Sequence, residues 1–191
     1  MPDQSRPLRA DAQRNRERVL EAAEAVLARD GLSAPMRTIA AHAGVGLGTI
    51  YRHFPTQEAL YQAIIIERTK RLVAEADELA ARYDPGGAFF EYFTRIVDSA
   101  AQKKALADVV AQAGIDPKSG MADISRGMRG AIEKVLVRAQ QAGAVRGDLH
   151  MAELLALLSA ICMGVERQQW DQRLRTRTLS LIFDGLRAHH A

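Results

Sequence analysis

Apolar residues in this chain recur at intervals of three and four, and rarely at two. Between Ala12 and Asp30 the residues Val19, Leu20, Ala23, Val26 and Leu27 keep to one side of a helix. Gly31 should stop that helix. Pro35 suits the first turn of the next, where its missing N–H costs nothing, and Gly44 ends it. A third helix starts near Leu47 and ends before Pro55. A fourth follows "PTQE" and runs through Leu60, Tyr61, Ile64, Ile65, Arg68 and Leu72 to about Tyr83. Breaks at "DPGG" and "GIDPKSG" bound a long helical stretch, "AFFEYFTRIVDSAAQKKALADVVAQAG". Another helix spans Met121 to Gln141 and closes at "AGAVRGDL". The last pieces are "MAELLALLSAICMGVERQQW" and "RLRTRTLSLIFDGLRAHH". No Val/Ile/Thr run alternates with period two. The pattern predicts an all-α chain of about nine helices.

The short second and third helices carry the first functional signal. Helices joined by a three- or four-residue turn cross steeply, and the crossing needs small residues and a glycine. Ala40, Ala43 and Gly44 supply them. Ile39, Val45, Ile50 and Phe54 then form a small core with Val19, Leu20 and Leu27. Leu47, Thr49, Arg52 and His53 are left on the outer surface of the third helix. Such a helix fits the major groove, and its N-terminal residues reach base edges. The hydroxyls of Tyr51 and Thr49, with His53 and Arg37, are suitable phosphate donors. The same spacing would also serve three short helices in an ordinary α-bundle.

The residues resemble a particular family. "RVLEAAEAVLARDGL", "TIAAHAGV", "GTIYRHF" and "EAL" together are similar to the N-terminal DNA-binding domain of TetR/AcrR-type transcriptional regulators. The resemblance implies a helical ligand-binding and dimerisation domain after it, and "RAQQAGAVRGDL" is similar to the loop before the dimerisation helices. The expected division is a flexible basic arm at 1–10, a helix-turn-helix domain at 11–56, and the ligand-binding and dimerisation domain at 57–191. It also implies that Arg37 and Thr38 touch phosphate or base, and that Leu47, Gly48, Thr49, Tyr51 and His53 belong to the recognition helix. Three positions depart from the family pattern. Gly46 stands where serine is common, Gln57 where lysine is common, and Pro35 where a capping serine or threonine is frequent. Loss of the lysine removes an expected phosphate contact, for which Arg52 and the N-terminal arginines could compensate.

Composition adds limits. The 191 residues are 48% hydrophobic and 5% aromatic, enough for a sizeable core and richer in helix formers than strand formers. The net charge of +3 permits nucleic-acid binding, and Arg6, Arg9, Arg14, Arg16 and Arg18 concentrate positive charge near the N-terminus. A single cysteine, Cys162, leaves no internal disulfide and no multi-cysteine zinc site, as expected for a cytoplasmic protein. The polar first residues carry no secretory signal, and the apolar run from Met151 to Val165 is too short to span a bilayer, so no membrane association is expected. Five histidines form no metal spacing, and no phosphate loop or nucleophile elbow is present. No enzyme activity, metal or cofactor is expected. Cys162, on an apolar helix, reads as inert packing.

For the second domain, Phe89, Phe90 and Phe93 and the row Met121, Ile124 and Met128 are candidates for an adaptable apolar effector pocket, or else plain core. Leu155, Leu158 and Cys162 on one helix and Leu179, Ile182, Phe183 and Leu186 on the last are candidates for a four-helix dimer interface. The expected protein is a homodimeric regulator, a repressor released from a palindromic double-stranded operator by a small molecule. A ligand-independent regulator or an architectural DNA-binding protein is the alternative.

Overall fold

The computed structural model describes residues 5–116, 120–168 and 170–188, with side chains from Gln13 onward except at residue 101. These residues form eight helices: α1 Ser5–Asp30, α2 Met36–Ala43, α3 Leu47–His53, α4 Gln57–Arg82, α5 Pro85–Gln112, α6 Ala122–Gln141, α7 Met151–Gln168 and α8 Gln172–Leu186. The count among the described residues is eight rather than about nine, and the longest stretches are unbroken. In α5, for example, neither glycine nor proline interrupts the 25 residues from Ala88 to Gln112. The helix α1 begins at Ser5, so residues 5–10 of the expected flexible arm are helical. Pro7 is compatible with this because it lies in the first turn. Residues 1–4 lie outside the described part.

Contacts divide the chain into two compact units. One runs through Ile65 and adds the segment that begins at Leu106; the other holds Ile66–Ala105 and the later helices. This division falls inside α4 and α5. The core of the first unit contains Val19, Val26, Ile39, Ile50, Phe54, Leu60 and Ile64, all at most 2% exposed. The helix α2 ends at Gly44, whose N–H meets the carbonyls of Ala40 and Ala41 and whose φ of 64° turns the chain so that Val45 N–H donates back to Ala40 O at 3.1 Å. A side chain there would be strained. It would also bring a Cβ to 2.9 Å from Arg18 Nη2.

The second unit is held by long amphipathic helices. Ile132, Val135, Leu136 and Ala139 form one buried stripe on α6, and Leu154, Leu158, Ile161 and Val165 another on α7. They pack with Phe89, Tyr92, Phe93 and Val97 of α5 and with Leu179 and Leu186 of α8. An ion pair, Arg175 Nε to Asp98 Oδ1 at 3.0 Å, links α8 to α5 without hydrogen-bond alignment. The loop after α6 is tied to the end of α8 by an antiparallel bridge between Val145 and Arg187, with Arg146 N donating to Leu186 O at 3.0 Å. Gln140 Nε2 secures the loop from within by donating to the carbonyls of Arg146 and Leu149. Near the end of α7 the ring of Trp170 lies against Gly164, where a Cβ would sit 2.8 Å from Cζ2. Its indole N–H donates to Gln168 Oε1 at 2.9 Å. Among the described residues no helix is long and apolar enough to cross a membrane.

Candidate nucleic-acid interface

The helices α2 and α3 are joined by the three residues Gly44 to Gly46. Met36, Ile39, Ala40 and Ala43 of α2, Ile50 of α3 and Phe54 are buried. Fixing Ile50 and Phe54 inward turns the opposite face of α3 to solvent. Leu47, Gly48, Tyr51 and Arg52 are exposed, and Thr49 and His53 are half-buried at its edges. Arg37, at the start of α2, is exposed, and Thr38 is half-buried. The structure thus gathers the eight residues read from the sequence onto α3 and the first turn of α2. Neither helix has a side-chain N-cap bond, since Pro35 and Gly46 occupy the cap positions. Pro35 therefore precedes the first turn of α2 and does not lie within it.

Three polar side chains hold this arrangement from behind. Arg18 Nη2 donates to Ala43 O at 2.7 Å, at the end of α2. Gln57 Nε2 donates to Ala34 O at 3.0 Å and to Tyr61 OH at 2.5 Å, with a longer contact to Leu32 O at 3.3 Å. The amide has only two hydrogens, so the longest of these contacts is shared. The Tyr61 hydroxyl donates in turn to Leu32 O at 2.5 Å, and burial raises its pKa. Together they fasten the segment between α1 and α2 to α4. Gln57, read from the sequence as a lost phosphate contact, is a positioning residue here. The signal that could have found it is its place one turn before the apolar-facing Tyr61. Two N-terminal arginines also make contacts within this unit: Arg18 as above, and Arg16, whose guanidinium lies 5.5 Å from the centre of the Phe54 ring.

The residues chosen for an effector pocket lie on α5 and at the start of α6. Phe89 and Phe93 are buried and Phe90 half-buried. Phe90 and Phe93 pack on Phe183 of α8, with ring centres 4.8 and 5.4 Å apart. Met121, Ile124 and Met128 are half-buried along the first half of α6, and the Tyr92 hydroxyl meets Met128 Sδ at 3.3 Å. Phe90 and Phe93 thus contact α8, Phe89 packs behind them, and Met128 meets another α5 residue.

The proposed interface residues are likewise used within their own unit. Leu158, Leu179 and Leu186 are buried in its core, and Leu155, Cys162, Ile182 and Phe183 pack against that core. Burial pushes the Cys162 thiol up to about 11, so it carries little thiolate at neutral pH. The apolar residues that do face out on α7 and α8 are Leu157, Met163, Leu174 and Leu181. Leu157 and Leu181, with Ala156, Ala160 and Gly185, line a groove of about 700 Å3 between the two helices. At its end Arg146 pairs with Asp148 at 2.6 Å and holds that carboxyl at about 2. Among the described residues no three His, Cys, Asp or Glu side chains are grouped to hold a metal ion.

Residues 19–64 match the tetR family of bacterial regulatory proteins, and residues 84–188 match the C-terminal domain of SbtR-like transcriptional regulators. A TetR transcription regulatory protein from Mycobacterium vanbaalenii is 40% identical, with a TM-score of 0.75 over 95% of this chain and 99% of that one. A TetR transcriptional regulator from Streptomyces coelicolor is 33% identical, with a TM-score of 0.72 over 92% of this chain and 99% of that one. The HTH-type transcriptional regulator UidR of Escherichia coli K12 is 27% identical over 168 residues, covering 83% of each chain. With an exposed recognition helix on a short helical core, an all-helical second unit and matches to both halves, the chain belongs to the TetR family of DNA-binding transcriptional regulators.

Proposed function

We propose that this regulator is a homodimeric, cytoplasmic repressor that reads a palindromic operator and releases it when a small molecule binds the second unit. It acts by binding and performs no catalysis. The observation that carries the DNA reading is the outward face of α3. It presents Leu47, Gly48, Tyr51 and Arg52 to solvent while Ile50 anchors the opposite face. On this reading Thr49, Tyr51, Arg52 and His53, with Arg37 and Thr38 of α2, contact bases and phosphates in the major groove. An operator selected from random duplexes provides the assay. Thr49→Ala and Tyr51→Phe should each weaken its binding by about two- to tenfold at fixed salt, the worth of one hydrogen bond. Unchanged affinity in both variants would remove α3 from the interface.

The groove between α7 and α8 is the surface that best suits a second copy of the chain. Its walls are mostly small and apolar, Leu157 and Leu181 face out along it, and Leu158 and Leu179 of the same helices are committed to the core. A palindromic site requires a two-fold axis, and an isologous contact through these helices supplies one. Leu157→Glu with Leu181→Glu should yield folded monomers by light scattering and weaken operator binding by about a hundredfold as the two half-sites lose their linkage. A dimer that survives both charges would rule this surface out. Release by an effector requires a conformation that binds the effector better and the operator worse, and the coupling is then reciprocal.

A further inference from the structure

Thr69 of α4 carries a buried hydroxyl. Lys103 of α5 donates its Nζ to Thr69 Oγ1 at 2.9 Å. A lysine stem can usually carry its ammonium out to water. Here it turns inward, to a neutral hydroxyl and not to a carboxylate. Arg68 stands beside Thr69 and reaches Gln102 O at 3.5 Å with Nη1. Burial above all, and then the charge of Arg68, push the Lys103 ammonium below the usual lysine range; Cys162 and Glu166 of α7 act in the opposite sense. The folded chain thus keeps a cation in a place that disfavours it.

The surroundings give this cation a direction. Ser99, Ile96 and Tyr92 precede Lys103 by 4, 7 and 11 residues and share its face of α5. The row ends at the contact between Tyr92 and Met128. It is cationic at one end and apolar, adaptable and aromatic at the other.

We propose that Lys103 and Thr69 form the recognition end of the effector site, and that the effector is a small apolar molecule bearing one acidic group, a carboxylate or a sulfonate. Its oxygens accept from the Lys103 ammonium, which Thr69 positions, and its apolar body lies along Ile96 towards Met128. The proposal rests on the effector-released reading given above and assigns that effector a chemical class.

The test uses the full chain and an apolar anion, 1-anilinonaphthalene-8-sulfonate, followed by fluorescence. The wild type should bind the dye, and decanoate and 4-phenylbutyrate should displace it while their neutral amides do not. Lys103→Met should bind the dye at least about tenfold more weakly, as expected for loss of a charge-assisted bond, and Lys103→Arg should retain most of the affinity. Without any ligand, Lys103→Met should melt no lower than the wild type, because the ammonium is unfavourable where it lies. Absence of dye binding to the wild type, equal binding by Lys103→Met, or displacement by the amides would overturn the proposal. So would a ligand-free Lys103→Met that melts several degrees lower, since the lysine would then be structural. Operator release is scored separately. If the amides release the operator and the acids do not, the acidic class is wrong and effector control stands. If no compound releases it although Lys103 governs dye binding, effector control fails and the proposal, as an effector site, fails with it.

Discussion

In the first unit α2 and α3 have eight and seven residues, whereas α5 and α6 of the second have 28 and 20. Helices as short as the former are not stable alone. Their positions are held by side chains bonded to backbone carbonyls: Arg18 to Ala43, Gln57 to Ala34, and Tyr61 to Leu32. The longer helices are placed mainly by continuous apolar stripes, including the cluster of Phe89, Phe90, Phe93 and Phe183. A unit that must present a rigid face to DNA gains from directional bonds. If the second unit takes up a ligand, as proposed, packing suits it, because packing tolerates rearrangement better.

Three substitutions separate the two strategies. The largest effect should come from Phe93→Ala, which empties a buried aromatic site in the second unit. A loss of about 3–5 kcal/mol is expected in denaturant unfolding. A loss below 1 kcal/mol would mean that Phe93 borders open space, as a pocket residue would. Next, Gln57→Leu keeps the volume near Tyr61 but leaves Ala34 O without its donor. It should cost about 1–3 kcal/mol and also weaken operator binding, because the approach to α2 loosens. If operator affinity is untouched, the pin is not what positions α2. Tyr51→Phe should change stability by less than about 0.5 kcal/mol, as an exposed surface change does, while still weakening DNA binding. A large loss of stability there would show that Tyr51 belongs to the fold rather than to the interface.

The contrast also explains what could be read from the sequence. The crossing of α2 and α3 was legible because local chemistry decides it: Ala40 and Ala43 allow close approach, and Gly44 accepts a left-handed backbone. The fate of α7 was not. Leu154, Leu158 and Ile161 face the core and Leu157 faces out, yet all are apolar and all fit helical spacing. Periodicity states that a helix needs neighbours, not whether a neighbour is its own chain or another copy. The same ambiguity covers Phe183, a candidate for the dimer interface that also packs on Phe90 and Phe93. Lys103 escaped notice because a lysine beside Lys104 in "AQKKALAD" looks like a solvated surface residue. Its inward turn is a tertiary fact, set by Thr69 34 residues earlier.

The chain contains one tryptophan, and it lies at the close of α7 against Gly164. Indole emission therefore reports on one place in the second unit and is silent about the first, whose aromatic side chains include Tyr51, Phe54 and Tyr61. Circular dichroism, by contrast, weighs the helices of both units together. Unfolding curves from the two methods will superimpose only when the units melt as one, so Trp170 makes the chain a natural gauge of its own cooperativity. A separation of the curves would rank the two strategies of stabilisation directly, without any label.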